Sequence, residues 1–254
     1  MIFNKALLTA NSLVLAFPRK NDVRRDIIAI EDALRSGTHN HYKQPALISI
    51  PDEMDPQMPR IIFESSHGFS QVIISQTNIA LNVQYSPDWQ NNYQKGQEYI
   101  SERAHLLFDI IGNVFNKKAI YTGLASIFTI NTPSLEEKII EHLYRHYQKC
   151  PNNNLTHDFE IKTTNIVDNL YFSNLQIKNF REWPQCDTPT ESIRYKRSDA
   201  VKRGIQIIGD FNDRYGFNEI DGYETNVDTY KDIMKKSFSI IDNEIRSLQE
   251  DIYV

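Results

Sequence analysis

Cysteine is almost missing from this chain, with two residues in 254. That excludes a disulfide-stapled scaffold and an all-cysteine zinc ribbon, and it fits a reducing, cytoplasmic compartment. Glycine is scarce too, at nine residues, about half the usual share. Neither a P-loop nor a dinucleotide-binding glycine fingerprint can be found, so the common phosphate-cradling architectures are not expected. Ten prolines and nine glycines also exclude collagen-like and low-complexity chains. There is no surplus of basic residues: 28 Lys and Arg stand against 33 Asp and Glu, for a net charge of -5. Generic coating of nucleic acid needs the opposite balance. No window approaches the ~18–20 apolar residues of a membrane span. The apolar stretch Ala6 to Phe17 is broken by Thr9, Asn11 and Ser12, which suits a bent first strand better than a leader peptide.

What is present is core material. Hydrophobic residues make up 40% and aromatics 11%, with 13 Tyr and 13 Phe. A chain of this length can bury one large core or two modest ones. Residues 2–17 read as a strand. Asn21 or Asp22 then caps a helix carrying Val23, Ile27, Ile30, Ala33 and Leu34, and Gly37 stops it. A short strand is expected at Ala46–Ile50. Arg60–Ser65, Phe69–Ser75 and Asn78–Tyr85 are three β-branched runs at hairpin spacing, an antiparallel meander. Trp89, Tyr93, Ile100, Ala104, Leu107, Phe108, Ile111, Val114 and Phe115 form the stripe of one long helix. Ala119–Asn131 alternates as a strand. Ser134 and Glu137 make a capping box ahead of a helix that ends near Tyr147. His157–Thr164 and Asn169–Phe180 read as strands, 181–203 as a charged loop, and Gly204–Phe211 as a buried strand. Val227, Tyr230, Met234, Phe238, Ile241, Ile245 and Leu248 mark a C-terminal helix of roughly six turns.

Strands and helices do not alternate regularly. The expected fold is therefore α+β: a mainly antiparallel sheet with a three-strand meander and two long amphipathic helices. No repeat occurs at solenoid periods. The organisation expected is an N-terminal half over 1–150 and a C-terminal half over 151–254, packed as one unit or as two tight halves.

Several residue groups have the right types for chemistry. His142, His146 and Cys150, with His157 beyond, have a spacing that can hold zinc. On a helix flanked by apolar positions, the ordinary reading is two histidines at the polar edge of the core. Asp210, Asn212, Asp213, Glu219 and Asp221 offer hard oxygen ligands after a strand, but fail the EF-hand template. Glu160 and Lys162 lie on one face of a strand with Asp158 nearby, the pattern of a metal-dependent nuclease. Ser65-Ser66-His67-Gly68 and His39-Asn40-His41 read as turn and loop. The basic residues Arg194, Lys196, Arg197, Lys202 and Arg203 could meet nucleic acid. Trp183, Arg181, Arg194 and Arg197 are residues of the types enriched at protein interfaces, gathered on one segment; Trp183 could equally pin that segment to the core.

The run from Pro59 through Arg60, Phe63 and His67 to Phe69, and then Ile79 to Trp89, resembles a sporadically distributed bacterial family of uncharacterised proteins of about this size. Tyr121–Phe128 and Gly209–Asn212 fall where that family has further strands. This chain departs at Ala125 and Ser126, where the family carries arginine and tyrosine. The resemblance brings no activity and no site residues. It implies a soluble bacterial accessory protein from a mobile or defence-type locus.

With no assembled catalytic set, the function expected is that of a non-enzymatic protein-binding or regulatory partner, an accessory component of a bacterial defence or toxin–antitoxin-type locus, without a cofactor, metal or membrane. A metal-dependent nuclease or hydrolase using Glu160, Lys162 and Asp158 or Asp210, and a nucleic-acid-binding module, are the alternatives. Homo-oligomerisation is compatible with either.

Overall fold

Alternating apolar and small polar residues from Leu7 to Ala16 build strand β1, around which the sheet is organised. A computed structural model describes residues 4–36, 42–134, 136–148, 156–184 and 196–250. After β1 come a short 3₁₀ turn, helix α1 (Ile27–Arg35) and the two-residue strand β2 (Ala46–Leu47). The expected meander follows as β3 (Ile61–Glu64), β4 (Ser70–Ile74) and β5 (Asn78–Gln84). Then come α2 (Pro87–Gln90), α3 (Tyr93–Asp109), β6 (Tyr121–Asn131), α4 (Glu136–Gln148), β7 (Glu160–Val167), β8 (Tyr171–Glu182), β9 (Lys202–Asn212), α5 (Arg214–Glu219) and α6 (Val227–Glu250). The nine strands form one sheet in the order β2-β3-β4-β5-β1-β6-β9-β8-β7, and the pairings between its long strands are all antiparallel. The fold is α+β. Among the described residues, no helix is long and apolar enough to cross a membrane.

The expected single helix over 89–115 is divided in three. Pro87 opens the one-turn α2, and the Asn92 side chain accepts from the Lys95 amide to cap α3 afresh. At its far end α3 widens into a π-turn over Ile110–Val114, where the Phe115 amide reaches back to the Ile110 carbonyl. The expected apolar face holds: Leu107, Ile111 and Phe115 are buried, as are Phe238, Ile241 and Ile245 of α6. Asn226 caps α6 by accepting from the amides of Asp228 and Thr229.

The element order runs twice. A strand, a helix, three antiparallel strands and a helix make up β1, α1, β3–β5 and α3; the same series recurs as β6, α4, β7–β9 and α6. Outward from the central pair β1–β6, the sheet reads β5, β4, β3 on one side, with the two-residue β2 at its edge, and β9, β8, β7 on the other. The two units meet along the β1–β6 ladder, in which Leu13 pairs with Leu124. A division at residue 150 would fall inside the second unit, between α4 and β7.

The helices α1, α3, α4 and α6 cover one face of the sheet. On that face Leu8, Leu13 and Leu15 of β1, Leu81 and Val83 of β5, Leu124, Phe128 and Ile130 of β6, and Ile205, Ile207 and Phe211 of β9 are buried. Close approach is built in at two glycines. A Cβ at Gly96 of α3 would lie 2.9 Å from Leu8 Cδ2, and one at Gly209 of β9 would lie 2.6 Å from Ile241 Cδ1 of α6.

Candidate functional site

A concavity lies between the β3–β4 turn and α3. Residues Lys95, Glu98, Tyr99, Glu102 and Arg103 follow helical spacing along one stripe of α3 and face a cavity of about 570 Å³. Its opposite wall is Ser65, His67 and Phe69 from the turn, with Trp89 from α2 and Tyr42 completing the lining. The turn is fixed by its own hydrogen bonds: the Ser65 amide donates to the Ser70 carbonyl at 2.8 Å and the Ser70 amide to Ser65 Oγ at 3.1 Å. Gly68 takes φ +73°, a conformation L side chains rarely adopt.

Aromatic rings dominate this cavity. The centroids of Phe69, Trp89 and Tyr99 lie 5.8 to 6.3 Å from one another. Trp89 is stacked on Tyr85, whose hydroxyl donates to Asn11 Oδ1 at 2.9 Å. The hydroxyls of Tyr99 and Ser70 are 2.7 Å apart. Burial pushes the hydroxyl pKa of Tyr42 and Tyr85 upward, so both stay protonated at neutral pH. The Arg103 guanidinium lies 5.3 Å from the rings of both Tyr42 and Tyr99, and Lys95 lies 6.0 Å from the Trp89 ring. Arg103 is 4% exposed, whereas Lys95, Glu98 and Glu102 stand at the rim. The Glu98 carboxylate accepts from Gln94 Nε2 at 2.9 Å.

The second surface is the face of the sheet opposite the helices. Register places Gln71, Asn82, Ser12, Ala125, Asp210 and Asn174 in one row across β4, β5, β1, β6, β9 and β8. The next row carries Ile62, Ile73, Ala80, Val14 and Gly123. Apart from the carboxylate of Asp210 these side chains are small, apolar or amide, and no charge stands on the central strands β5, β1 and β6 of this face. Neighbours in the row are bonded: Ser12 Oγ donates to Asn82 Oδ1 at 2.7 Å, and Asn174 Nδ2 to Asp210 Oδ2 at 3.2 Å. α5 closes one end, with Phe217 against Tyr121 and Tyr215 against Phe172.

The residues singled out as interface candidates are placed differently from the expected loop. Arg181 belongs to β8, opposite Arg203 of β9, because both strands run further than their apolar cores suggest. Its side chain is 7% exposed, with Nε 2.6 Å from Glu136 Oε1, and it also pairs with Asp158. Glu136, at the start of α4, is itself buried and accepts from Asn179 at 3.1 Å. Arg197 approaches the same carboxylate at 3.9 Å and Glu137 at 3.6 Å. Trp183 Nε1 donates to the Lys196 carbonyl at 3.1 Å, with the Arg181 guanidinium 5.7 Å from its ring. Arg181, Arg197 and Trp183 thus converge on an internal clamp between β8, α4 and the 3₁₀ turn at Arg197–Asp199. Arg194 lies outside the described residues.

The acidic and histidine groups are engaged in structure. Glu160 accepts from Gln176 at 2.7 Å. Asp210 stands on β9, two strands inward from β7, which is about 10 Å at ordinary strand spacing. His142 Nε2 is 3.0 Å from the Leu248 carbonyl, and His146 lies 3.9 Å from Glu244. Cys150, His39 and His41 lie outside the described residues. Among the described residues, no group of three His, Cys, Asp or Glu could hold a metal ion. Asp213 is fully buried, accepting from the Thr122 amide at 2.6 Å and the Tyr223 hydroxyl at 2.9 Å. Burial raises its carboxyl pKa.

The fold and these surfaces define an α+β protein whose element order recurs, with one sheet face covered by the long helices and the other, among the described residues, covered only at one end by α5. No family model and no curated protein matches the chain. Sequence reasoning placed Trp89 on a helix stripe and His67 in a turn, but did not bring them together. The signal that could have done so is the stripe Lys95, Glu98, Tyr99, Glu102 and Arg103, in which four charges flank a tyrosine on one helix face.

Proposed function

We propose that this chain is a cytoplasmic, non-enzymatic binding protein that receives another protein on the uncovered face of its sheet, as an accessory component of a bacterial defence or toxin–antitoxin-type locus. The observation that carries this reading is the row of small, amide and single carboxylate (Asp210) side chains crossing six strands, on the face opposite the long helices α3, α4 and α6 and, among the described residues, covered only at one end by α5. Such a surface offers flat complementarity with satisfied polar groups and little charge to desolvate, which suits an interface core. The absence of Lys and Arg from its central strands, and the net charge of -5, weigh for a protein partner over a nucleic acid. The carboxylates on this face weigh against hydrolytic chemistry, since Asp210 and Glu160 are held by neighbouring amides.

The test introduces a long charge into the row. The wild-type chain is purified with a partner encoded beside it, and affinity is measured for Ala125→Arg and for Lys138→Glu on the exposed side of α4. At least a tenfold loss is expected for Ala125→Arg with unchanged circular dichroism, and none for Lys138→Glu. Equal affinity of a folded Ala125→Arg variant would refute the proposal. So would Mg²⁺-dependent cleavage of DNA or RNA that stops on Glu160→Ala, which would establish the nuclease alternative.

A further inference from the structure

We propose that the cavity between the β3–β4 turn and α3 is a binding site for a small planar aromatic anion, its ring lying against Phe69 and Trp89 and its anionic group meeting Arg103 and Lys95. The cavity, at about 570 Å³, is within the usual ~300–1,000 Å³ range of small-molecule sites, and its walls are mostly aromatic with a few convergent polar groups. Its rings are held in place before any ligand arrives. Trp89 stacks on Tyr85, Phe69 stacks on His67, and the Tyr99 and Ser70 hydroxyls tie α3 to the first residue of β4. Of the rings that face the cavity, Phe69 and Trp89 are inclined by 36° and Tyr99 stands edge-on to Trp89; a flat guest lying against one of the first two gains stacking without ordering new side chains.

The sign of the guest's charge follows from what already stands on the rings. The negative faces of aromatic rings attract cations, but here the chain supplies its own: Arg103 faces Tyr42 and Tyr99, and Lys95 faces Trp89. A cationic guest would meet these charges in place of open ring faces. An anion would be drawn to them. Lys95, Glu98 and Glu102 are all exposed at the rim and screened by solvent, so the sign is set by Arg103, which is 4% exposed, with Lys95 adding to it at the mouth. The chemistry shared by an aromatic carboxylate and a nucleotide phosphate fits equally. The site lies on the helix side of the sheet, so it is occupied independently of the uncovered face.

The experiment titrates the full chain by calorimetry with 2-naphthoate, with adenosine monophosphate and with 2-naphthylmethylammonium, which keeps the first probe's ring and reverses its charge. One site is expected for at least one of the anions, at least tenfold tighter than for the ammonium probe. Binding of naphthoate alone identifies a carboxylate site, and binding of the monophosphate alone a phosphate site; either supports the proposal. Lys95→Glu, on an exposed position that leaves the melting temperature unchanged, is expected to weaken the anion at least threefold. Phe69→Leu is expected to weaken it by a similar factor. Failure of both anions to bind, an ammonium probe that binds as tightly, or indifference of binding to both Lys95→Glu and Phe69→Leu would overturn the proposal.

Discussion

Replacing Gly209 by alanine tests how α6 is seated on the sheet. A methyl at that position meets Ile241 Cδ1 at 2.6 Å and Cγ1 at 3.0 Å, against the ~3.5–4.0 Å of ordinary carbon contact. Ile241 is 1% exposed, so it cannot swing into solvent. Overpacking of this kind costs about 1–3 kcal/mol. Removing a glycine from a strand interior returns roughly 0.5–1 kcal/mol. The net expectation for Gly209→Ala is a destabilisation of about 1–2 kcal/mol. Ile241→Val deletes Cδ1 and alone should cost about 0.5–1.5 kcal/mol. In the double variant the alanine methyl enters the space that Cδ1 vacates, so each change relieves the other. The double variant should then be about 1 kcal/mol more stable than the two single losses predict. Urea unfolding of the four proteins, with a common slope, measures the coupling. Additive losses within about 0.3 kcal/mol would show that α6 shifts freely over β9 and would refute the reasoning.

Two further outcomes follow from buried groups. Leu107→Ala, at a site with 0% exposure, should cost about 2–5 kcal/mol in the same assay; a loss of only a few tenths would contradict the buried face of α3. Asp213→Asn should change how stability depends on pH. Because burial raises the Asp213 carboxyl above its ordinary 3.8, the stability of the wild type linked to this group is fully present below that value and is lost as pH rises through the folded-state value. The asparagine variant lacks this loss, so its stability relative to the wild type should rise across that window and then level off; a constant difference would refute the assignment.

Much of the architecture was legible because it rests on local periodicity. The meander is written in β-branched runs, although its connections, Ser65–Phe69 and Ser75–Thr77, are longer than the two-residue turns expected, and α6 is written in a stripe from Val227 to Leu248. The break between α2 and α3 was not legible, since Trp89 continues the apolar stripe while Pro87 and Asn92 set two separate starts. The reach of β8 to Glu182 and β9 back to Lys202 was missed because strand ends are held by ladder hydrogen bonds, and Arg181 and Arg203 carry no apolar signal. Glu136 gave no sign of being buried until Arg181 and Asn179 came to it from another element. The duplication escaped notice because its two units share an order of elements, with segments as unlike as Leu7–Ala16 and Tyr121–Asn131. The aromatic cavity depends on contacts between residues 42, 69, 89 and 99, which no periodicity relates.

The position of β1 at the centre of the sheet has a consequence for synthesis. Its neighbour β5 belongs to the first unit, and its other neighbour β6 to the second. A nascent chain can pair β1 with β5 and lay down α3 before β6 has been translated. At ~5–20 residues per second, the stretch from Ile110 to Asn131 takes roughly one to four seconds to make. During that interval the free edge of β1 presents unpaired backbone groups to whatever strand is near. A ribosome paused within residues 110–120 prolongs this exposure, and on a crowded polysome the β6 of a neighbouring chain is a matching strand. Exchange of whole second units between sister chains is therefore a misassembly that this order of synthesis favours.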